Sequence, residues 1–248
     1  MNVTASITTT GRRIGKIVPT IQSVLSGERK PDRLVLWLNE EGTPVAPPVS
    51  RDAVPRELAS MPVDVRWCRN WGPATKLLPS MITFPEDHVV TFDDDVLYPH
   101  WWLRRLIEAA ERFPDTILCY RARLIKWSEA GSVRSYREWP LIKAREFGPS
   151  DELLPTGIHG VLYPPGSLKE QAFDLDALRK VALPNDDLWF AATRKKAPML
   201  IARGGKFRGR RIRGPRLCRA NCRWRNDRII QNLHGYFGAA VPWHKKEQ

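Results

Sequence analysis

An α/β fold, with a mostly parallel central sheet flanked by helices, is what this sequence of 248 residues predicts. Three observations carry that expectation. Short β-branched or apolar runs alternate with segments whose apolar residues recur at helical spacing, the order that builds parallel sheets. Acidic residues cluster where a strand hands over to the next segment, the edge at which open α/β sheets keep their ligand crevices. The composition, 42% hydrophobic and 27% charged, is that of a soluble globular chain rather than a disordered or fibrous one.

The elements follow in order. Val3 to Thr9 is an alternating β-branched strand, and after Gly11-Arg12-Arg13 the residues Ile14, Ile17, Val18, Ile21, Val24 and Leu25 recur at helical spacing. Pro19 inside that pattern predicts a kink or a later helix start. Arg33 to Leu38 and Val63 to Trp67 are the second and third strands, joined by a Pro-rich connection. Gly72 to Pro79 reads as a short helix with Pro73 near its first turn. Val89 to Phe92 is a short buried strand that ends in Asp93, Asp94 and Asp95. A helix from about His100 to Arg112 and a strand from Thr116 to Tyr120 come next. Residues 121 to 148 have no clear period, and Trp127, Tyr136 and Trp139 there are expected in the core rather than as sugar-stacking platforms. Gly160 to Tyr163 is a further strand, Asp174 to Val181 a helix, and Asn185-Asp186-Asp187 the start of another, where Asn caps and the helix dipole favours a carboxylate.

Two kinds of residue exclude whole classes of function. Cys68, Cys119, Cys218 and Cys222 are too few for a disulfide framework, and the close pair has three residues between its members rather than the two of common zinc hairpins, so free thiols in a reducing compartment are expected. The five histidines are scattered and form no metal-binding helix. No run approaches the length of a membrane span and the N-terminus lacks the features of a secretory signal, which predicts a cytoplasmic protein.

Charge divides the chain in two. The net charge is +13, but residues 203 to 248 hold 13 Lys and Arg against 2 Asp and Glu, leaving the body nearly neutral. A catalytic domain over residues 1–205 and an Arg-rich extension over 206–248, packing on or near the active site, are therefore expected. Such an arginine run attracts phosphates, whether of nucleic acid, anionic lipid or nucleotide. Arg208, Arg210, Arg211 and Arg213, among hinge glycines, would close over a donor diphosphate, or the tail would hold the protein on the inner face of an anionic membrane.

Three adjacent carboxylates at the end of a buried strand repel one another unless a cation neutralises them. Oxygen-only ligands suit Mg²⁺ or Mn²⁺, and one or two carboxylates plus phosphate oxygens are the usual way Mg²⁺ is held. The bland alternative is a solvated acidic turn. Asp186-Asp187 supplies a second, separate acidic pair, so one group holds the metal while the other serves as general base.

With these landmarks the chain resembles the nucleotide-sugar glycosyltransferases of the GT-A (Rossmann-like) fold, most closely bacterial members of the family 2 type. The matching residues run in order from Ala5-Ser6-Ile7-Thr8-Thr9 with Arg12 and Arg13, through Pro31 to Asn39 and Gly72 to Lys76, to Thr91-Phe92-Asp93-Asp94-Asp95-Val96-Leu97-Tyr98-Pro99, Gly157 to Tyr163, and Asn185 to Phe190. The resemblance implies a DXD motif framed by Asp93 and Asp95, with Asp95 the direct ligand of Mn²⁺ or Mg²⁺ and Asp93 a second metal and ribose contact. It implies a donor pocket lined by Thr8, Thr9, Arg12, Asn39, Lys76, Asp93, Asp94 and Gly160, with Arg211 from the tail. Asp187, with Asp186 beside it, would be the catalytic base of an inverting displacement, although Asp-Asp stands where Glu-Asp is more usual. The implied activity is hexosyl transfer from a nucleoside-diphosphate sugar to a hydroxyl of a saccharide or lipid-linked acceptor, in building a bacterial surface polysaccharide. Rival readings are a nucleic-acid-binding protein acting through its tail and a metal-dependent phosphotransferase or nuclease. The balanced body argues against the first, and the chain has no Gly-x-x-x-x-Gly-Lys-Ser/Thr phosphate loop.

Overall fold

The computed structural model describes residues 1–42, 47–207 and 225–244. Nine strands are described: β1 Val3–Thr8, β2 Arg33–Leu38, β3 Asp64–Trp67, β4 His88–Thr91, β5 Ile117–Cys119, β6 Ala122–Leu124, β7 Leu153–Pro155, β8 Val161–Tyr163 and β9 Pro198–Leu200. The helices are α1 Val18–Leu25, α2 Leu78–Thr83, α3 Trp102–Arg112, α4 Leu175–Val181, α5 Asp186–Thr193 and α6 Arg225–Phe237. Seven strands form one sheet in the order β3-β2-β1-β4-β8-β5-β9, and β6 pairs with β7 in a separate ribbon. Within the sheet only β8 runs against its neighbours, so the mostly parallel α/β architecture expected from the sequence is the one observed.

The sheet is covered on both faces, as parallel strands require. Alternate residues of the central strands enter two different cores. Val90, Leu118 and Leu162 pack with Ile21 and Val24 of α1 and Trp102 and Leu106 of α3. Val89, Ile117, Cys119 and Val161 pack with Leu178 of α4, Trp189 of α5 and Ile230 and Leu233 of α6. A third patch is polar. Ser80 of α2 shares hydrogen bonds of 2.7 Å with Ser6 of β1 and with the Trp37 indole of β2. This contact seats α2, and with it the Gly72–Lys76 3-10 turn, against the first two strands.

Several sequence expectations shift in detail. The first helical segment splits into a 3-10 turn at Ile14–Lys16 and α1, in which Pro19 falls in the first turn and breaks no hydrogen bond. Pro79 does the same for α2, so the single short helix expected over Gly72 to Pro79 is a 3-10 turn followed by α2. Trp139 is fully buried, and Trp127 and Tyr136 are half-buried against the same core. β6, β7 and β9, of three residues each, have no counterpart among the expected strands. Cys68 and Cys119 are free thiols, whereas Cys218 and Cys222 lie outside the described residues. Among the described residues no helix is long and apolar enough to cross a membrane.

Candidate active site

The parallel strands bring their carboxyl ends to one edge, and the acidic motifs meet there. β4 ends at Thr91, and Phe92, buried between Tyr98 and Trp102, leads straight into Asp93. The Asp93 backbone N–H donates to the Tyr98 hydroxyl at 2.8 Å, which fixes the turn. The three aspartates then diverge. Asp94 is almost fully buried, where it accepts from the Thr9 hydroxyl at 2.6 Å and pairs with Arg13 at 2.7 Å. Burial still pushes its pKa up to about 6 against the pull of Arg13 and Thr9. Asp95 takes the other arm of Arg13, with its side chain 31% exposed. Asp93 faces Lys76 at 3.3 Å, with its side chain 25% exposed.

Lys76 joins the two halves of the site. Its ammonium lies 3.3 Å from Asp93 and 3.3 Å from Asp186, with a side chain only 12% exposed. Burial disfavours its charge, but Asp186, Asp93 and Asp187 outweigh that cost and hold its pKa well above the usual lysine range. Asp186 opens α5, whose cap is Asn185: the Asn185 side-chain Oδ1 accepts from the Leu188 N–H at 3.1 Å. The Asn185 amide in turn donates to Asn226 of α6 at 3.0 Å, so the C-terminal helix holds the cap of the helix that carries both acids.

Asp187 turns the other way. One of its oxygens accepts from the Gly157 N–H at 2.8 Å, and burial, followed by repulsion from Asp186, lifts its pKa to about 7. A side chain at Gly157 would come within 2.7 Å of the Lys76 ammonium, so the missing Cβ is what lets these groups close up.

The remaining expected residues fall into three groups. Thr9, Asp93, Asp94, Asp95, Lys76, Asp186 and Asp187 are linked by the contacts above. Thr8 donates to the Trp37 carbonyl at 2.8 Å, and Asn39 is buried just beyond β2, both on the same edge of the sheet. Arg12 is exposed, and Arg13 beside it reaches the aspartates. Gly160, at φ +102°, serves the backbone: a Cβ there would lie 2.8 Å from the Trp102 indole nitrogen. Arg211 lies outside the described residues. Arg13, Tyr98 and Gly157, landmarks of the resemblance that were given no role in the site, belong to it. The sequence signal for Arg13 was its place beside Arg12 after the first strand, and the burial of Ile14 anchors that side of the turn.

Among the described residues no three His, Cys, Asp or Glu side chains converge as a ready-made metal cage. Asp93 and Asp95 are nonetheless a suitable partial set. Both are oxygen donors, both are partly open, and a Mg²⁺-like ion takes only one or two carboxylates and draws the rest from substrate oxygens and water.

No family model matches the chain, and no curated protein does. Solved structures similar to it include S. aureus TarS 1-349, at 13% identity and a TM-score of 0.48 over 82% of this chain and 58% of that one. TarS 1-349 in complex with UDP-GlcNAc is similar at 10% identity and a TM-score of 0.47, over 84% of this chain and 60% of that one. 4-Diphosphocytidyl-2C-methyl-D-erythritol synthase is similar at 16% identity and a TM-score of 0.46, over 94% of this chain and 98% of that one. The chain thus spans less than two thirds of the length of TarS 1-349.

Proposed function

We propose that this chain is a glycosyltransferase that moves a sugar from a nucleoside-diphosphate donor to a hydroxyl of a saccharide or lipid-linked acceptor, with inversion by direct displacement. The observation that supports this most is the Lys76 bridge. It draws the strand-end acid Asp93 and the helix-start acid Asp186, distant in sequence, to within 3.3 Å of one ammonium. Two acidic motifs held together by one cation suit a reaction that needs a charged leaving group on one side and a proton acceptor on the other.

The roles follow from the contacts. Asp187 is the base. Its carboxylate is oriented by the Gly157 N–H through one oxygen, which leaves the other to take the acceptor proton as that hydroxyl attacks the anomeric carbon. Asp186 is buried against Lys76 and keeps that ammonium directed to the crevice. Lys76 meets the negative charge that develops on the departing diphosphate. Arg13 holds Asp94 and Asp95 in place, and Thr9, Thr8 and Asn39 line the edge on which the nucleoside would lie. Asp93 and Asp95 would hold Mg²⁺ or Mn²⁺, which when bound neutralises diphosphate charge.

The test is a melting-temperature screen of the full chain against UDP, GDP, CDP and dTDP, with and without Mn²⁺ or Mg²⁺, since a ligand of the folded state raises its melting point. One nucleoside diphosphate should give a metal-dependent rise that Asp95→Ala removes. If no nucleotide shifts the wild type while oligonucleotides do, the basic tail is the functional element and the reading is wrong.

A further inference from the structure

The carboxyl edge of the sheet continues past Asp187 into a group of arginines that the proposed chemistry has not used. Following the strand order β4, β8, β5, β9, the edge presents Asp93 beyond β4 and Gly157 with Asp187 ahead of β8. Arg121 comes next, just past β5, and then Arg203, just past β9. Arg121 donates to the Thr156 hydroxyl at 2.8 Å, and the Thr156 N–H donates to the Arg121 carbonyl at 2.9 Å. Thr156 directly precedes Gly157, whose N–H holds Asp187. The guanidinium is thus tied, through two adjacent residues, to the backbone that orients the proposed base.

Two more arginines are tied to the same stretch of chain. Arg203 is pinned by two hydrogen bonds, 3.1 and 3.0 Å, to the carbonyl of Tyr120, the residue before Arg121. Arg123 lies 4.9 Å over the Tyr136 ring and donates to the Trp139 carbonyl, while its Nε is buried with no hydrogen-bond partner among the described residues. The Tyr136 loop is held in turn by Asp227 of α6, which accepts from the Tyr136 N–H at 2.7 Å and the Ser135 hydroxyl at 2.9 Å. Among the described residues no carboxylate lies within ion-pair distance of Arg121, Arg123 or Arg203, although fifteen ion pairs occur elsewhere. Residues 208–224 contain no Asp or Glu, and Glu247 is the one acidic side chain outside the described residues.

Such an arrangement is costly on its own. Burial and the neighbouring Arg123 together hold Arg121 below the usual arginine range, and Tyr136 and Asp187 only partly offset them. Each guanidinium spends one or two donors on the protein and keeps the rest, in a fork geometry that matches phosphate and carboxylate oxygens. A neutral saccharide would leave the repulsion in place; an anion removes it.

We propose that Arg121, Arg123 and Arg203 form an acceptor subsite for an anionic group, a phosphate or a carboxylate carried by the acceptor close to the hydroxyl that Asp187 deprotonates. The acceptor assignment rests on the glycosyltransferase reading, whereas the anion site itself does not. On this arrangement the base stands between a donor side at Asp93 and Lys76 and an acceptor side at the arginines.

The experiment follows melting temperature of the full chain against inorganic phosphate and, separately, acetate, at constant ionic strength, in wild type, Arg121→Gln and Asp95→Ala. At least one anion should stabilise the wild type, and the larger response tells phosphate from carboxylate. That response should weaken by on the order of tenfold in apparent affinity in Arg121→Gln and persist in Asp95→Ala. The metal-dependent nucleotide response should show the reverse pattern, kept in Arg121→Gln and lost in Asp95→Ala. An anion response of equal size in Arg121→Gln, or no response to either anion, overturns the subsite. A phosphate response that depends on Arg121, without any nucleotide response, overturns the acceptor assignment and retains the anion site. Should Arg121→Gln fail to fold, wild-type crystals soaked in tungstate give the same decision. Heavy-atom density between Arg121 and Arg203 supports the subsite, and density only elsewhere overturns it.

Discussion

Arg12 and Arg13 share one chemistry and differ in fate. Ile14 is buried, so the turn that follows β1 directs Arg13 to Asp94 and Asp95 and leaves Arg12 in solvent. Removing Arg13 leaves Asp94 buried without its cation. Arg13→Ala should therefore cost about 2–3 kcal/mol in urea unfolding, less than the roughly 3–5 kcal/mol of a fully enclosed pair because Arg13 is itself partly open. Arg12→Ala should change stability by less than about 0.5 kcal/mol. Asp187 offers a test with opposite signs for stability and activity. Its pKa is raised to about 7 in the folded state, so the fold favours the protonated form. Stability from that preference is complete below the ordinary aspartate range and is lost as pH rises toward 7. Asp187→Asn should raise the melting temperature relative to wild type by an amount that grows between about pH 4 and 7 and then levels off. The same substitution should lower kcat by about 10²- to 10⁴-fold with nucleotide affinity unchanged. A loss of nucleotide affinity instead would remove Asp187 from the role of base. The acidic residues of the site were legible because carboxylates in a row are costly and draw attention. The roles of Arg13 and Arg121 were not, because the chain has many arginines and only their surroundings distinguish them.

At the scale of elements, local signals worked where an element satisfies its own hydrogen bonds or carries its own cap. Asn185 before α5 and Asp174 before α4 are caps in the structure, the latter accepting from the Ala177 N–H at 2.9 Å. β2 runs over Arg33–Leu38, the segment its apolar run predicts. β6, β7 and β9 escaped notice because none contains a β-branched residue, whereas the equally short β5 and β8 hold Ile117 and Val161. α6 shows how an element distant in sequence serves the site. Ile229, Ile230 and Leu233 bury its apolar face in the core shared with Trp189, while Asn226 and Asp227 reach the α5 cap and the Tyr136 loop. Leu233 is fully buried, and Leu233→Ala should cost about 2–5 kcal/mol by chemical denaturation. Turnover of the variant under conditions where it remains folded should also fall, since the α5 cap and the Tyr136 loop lose their common support. Full activity in a folded Leu233→Ala would show that α6 stabilises the chain without holding the site.

Over the whole molecule the charge is divided: nearly balanced through residue 202, strongly basic after it. Basic residues near an anionic surface contribute about 1 kcal/mol each, and the effect fades within a Debye length. The full chain should therefore bind phosphatidylserine vesicles at low salt and leave them near about 1 M salt, where screening reaches about 3 Å. Equal binding to neutral vesicles would show that charge is not the cause. The class of fold and the edge of the sheet that bears the acids were determined by the sequence alone, because hydrophobic period and strand-end carboxylates are local properties. Tertiary structure alone decided that β8 runs against its neighbours, that Lys76 joins Asp93 to Asp186, and that Arg121 bonds Thr156, the residue before the Gly157 that holds Asp187. The reason is physical: these pairings join residues tens of positions apart. Their energies depend on burial and on the sum of surrounding charges, quantities that exist only once the strands are side by side.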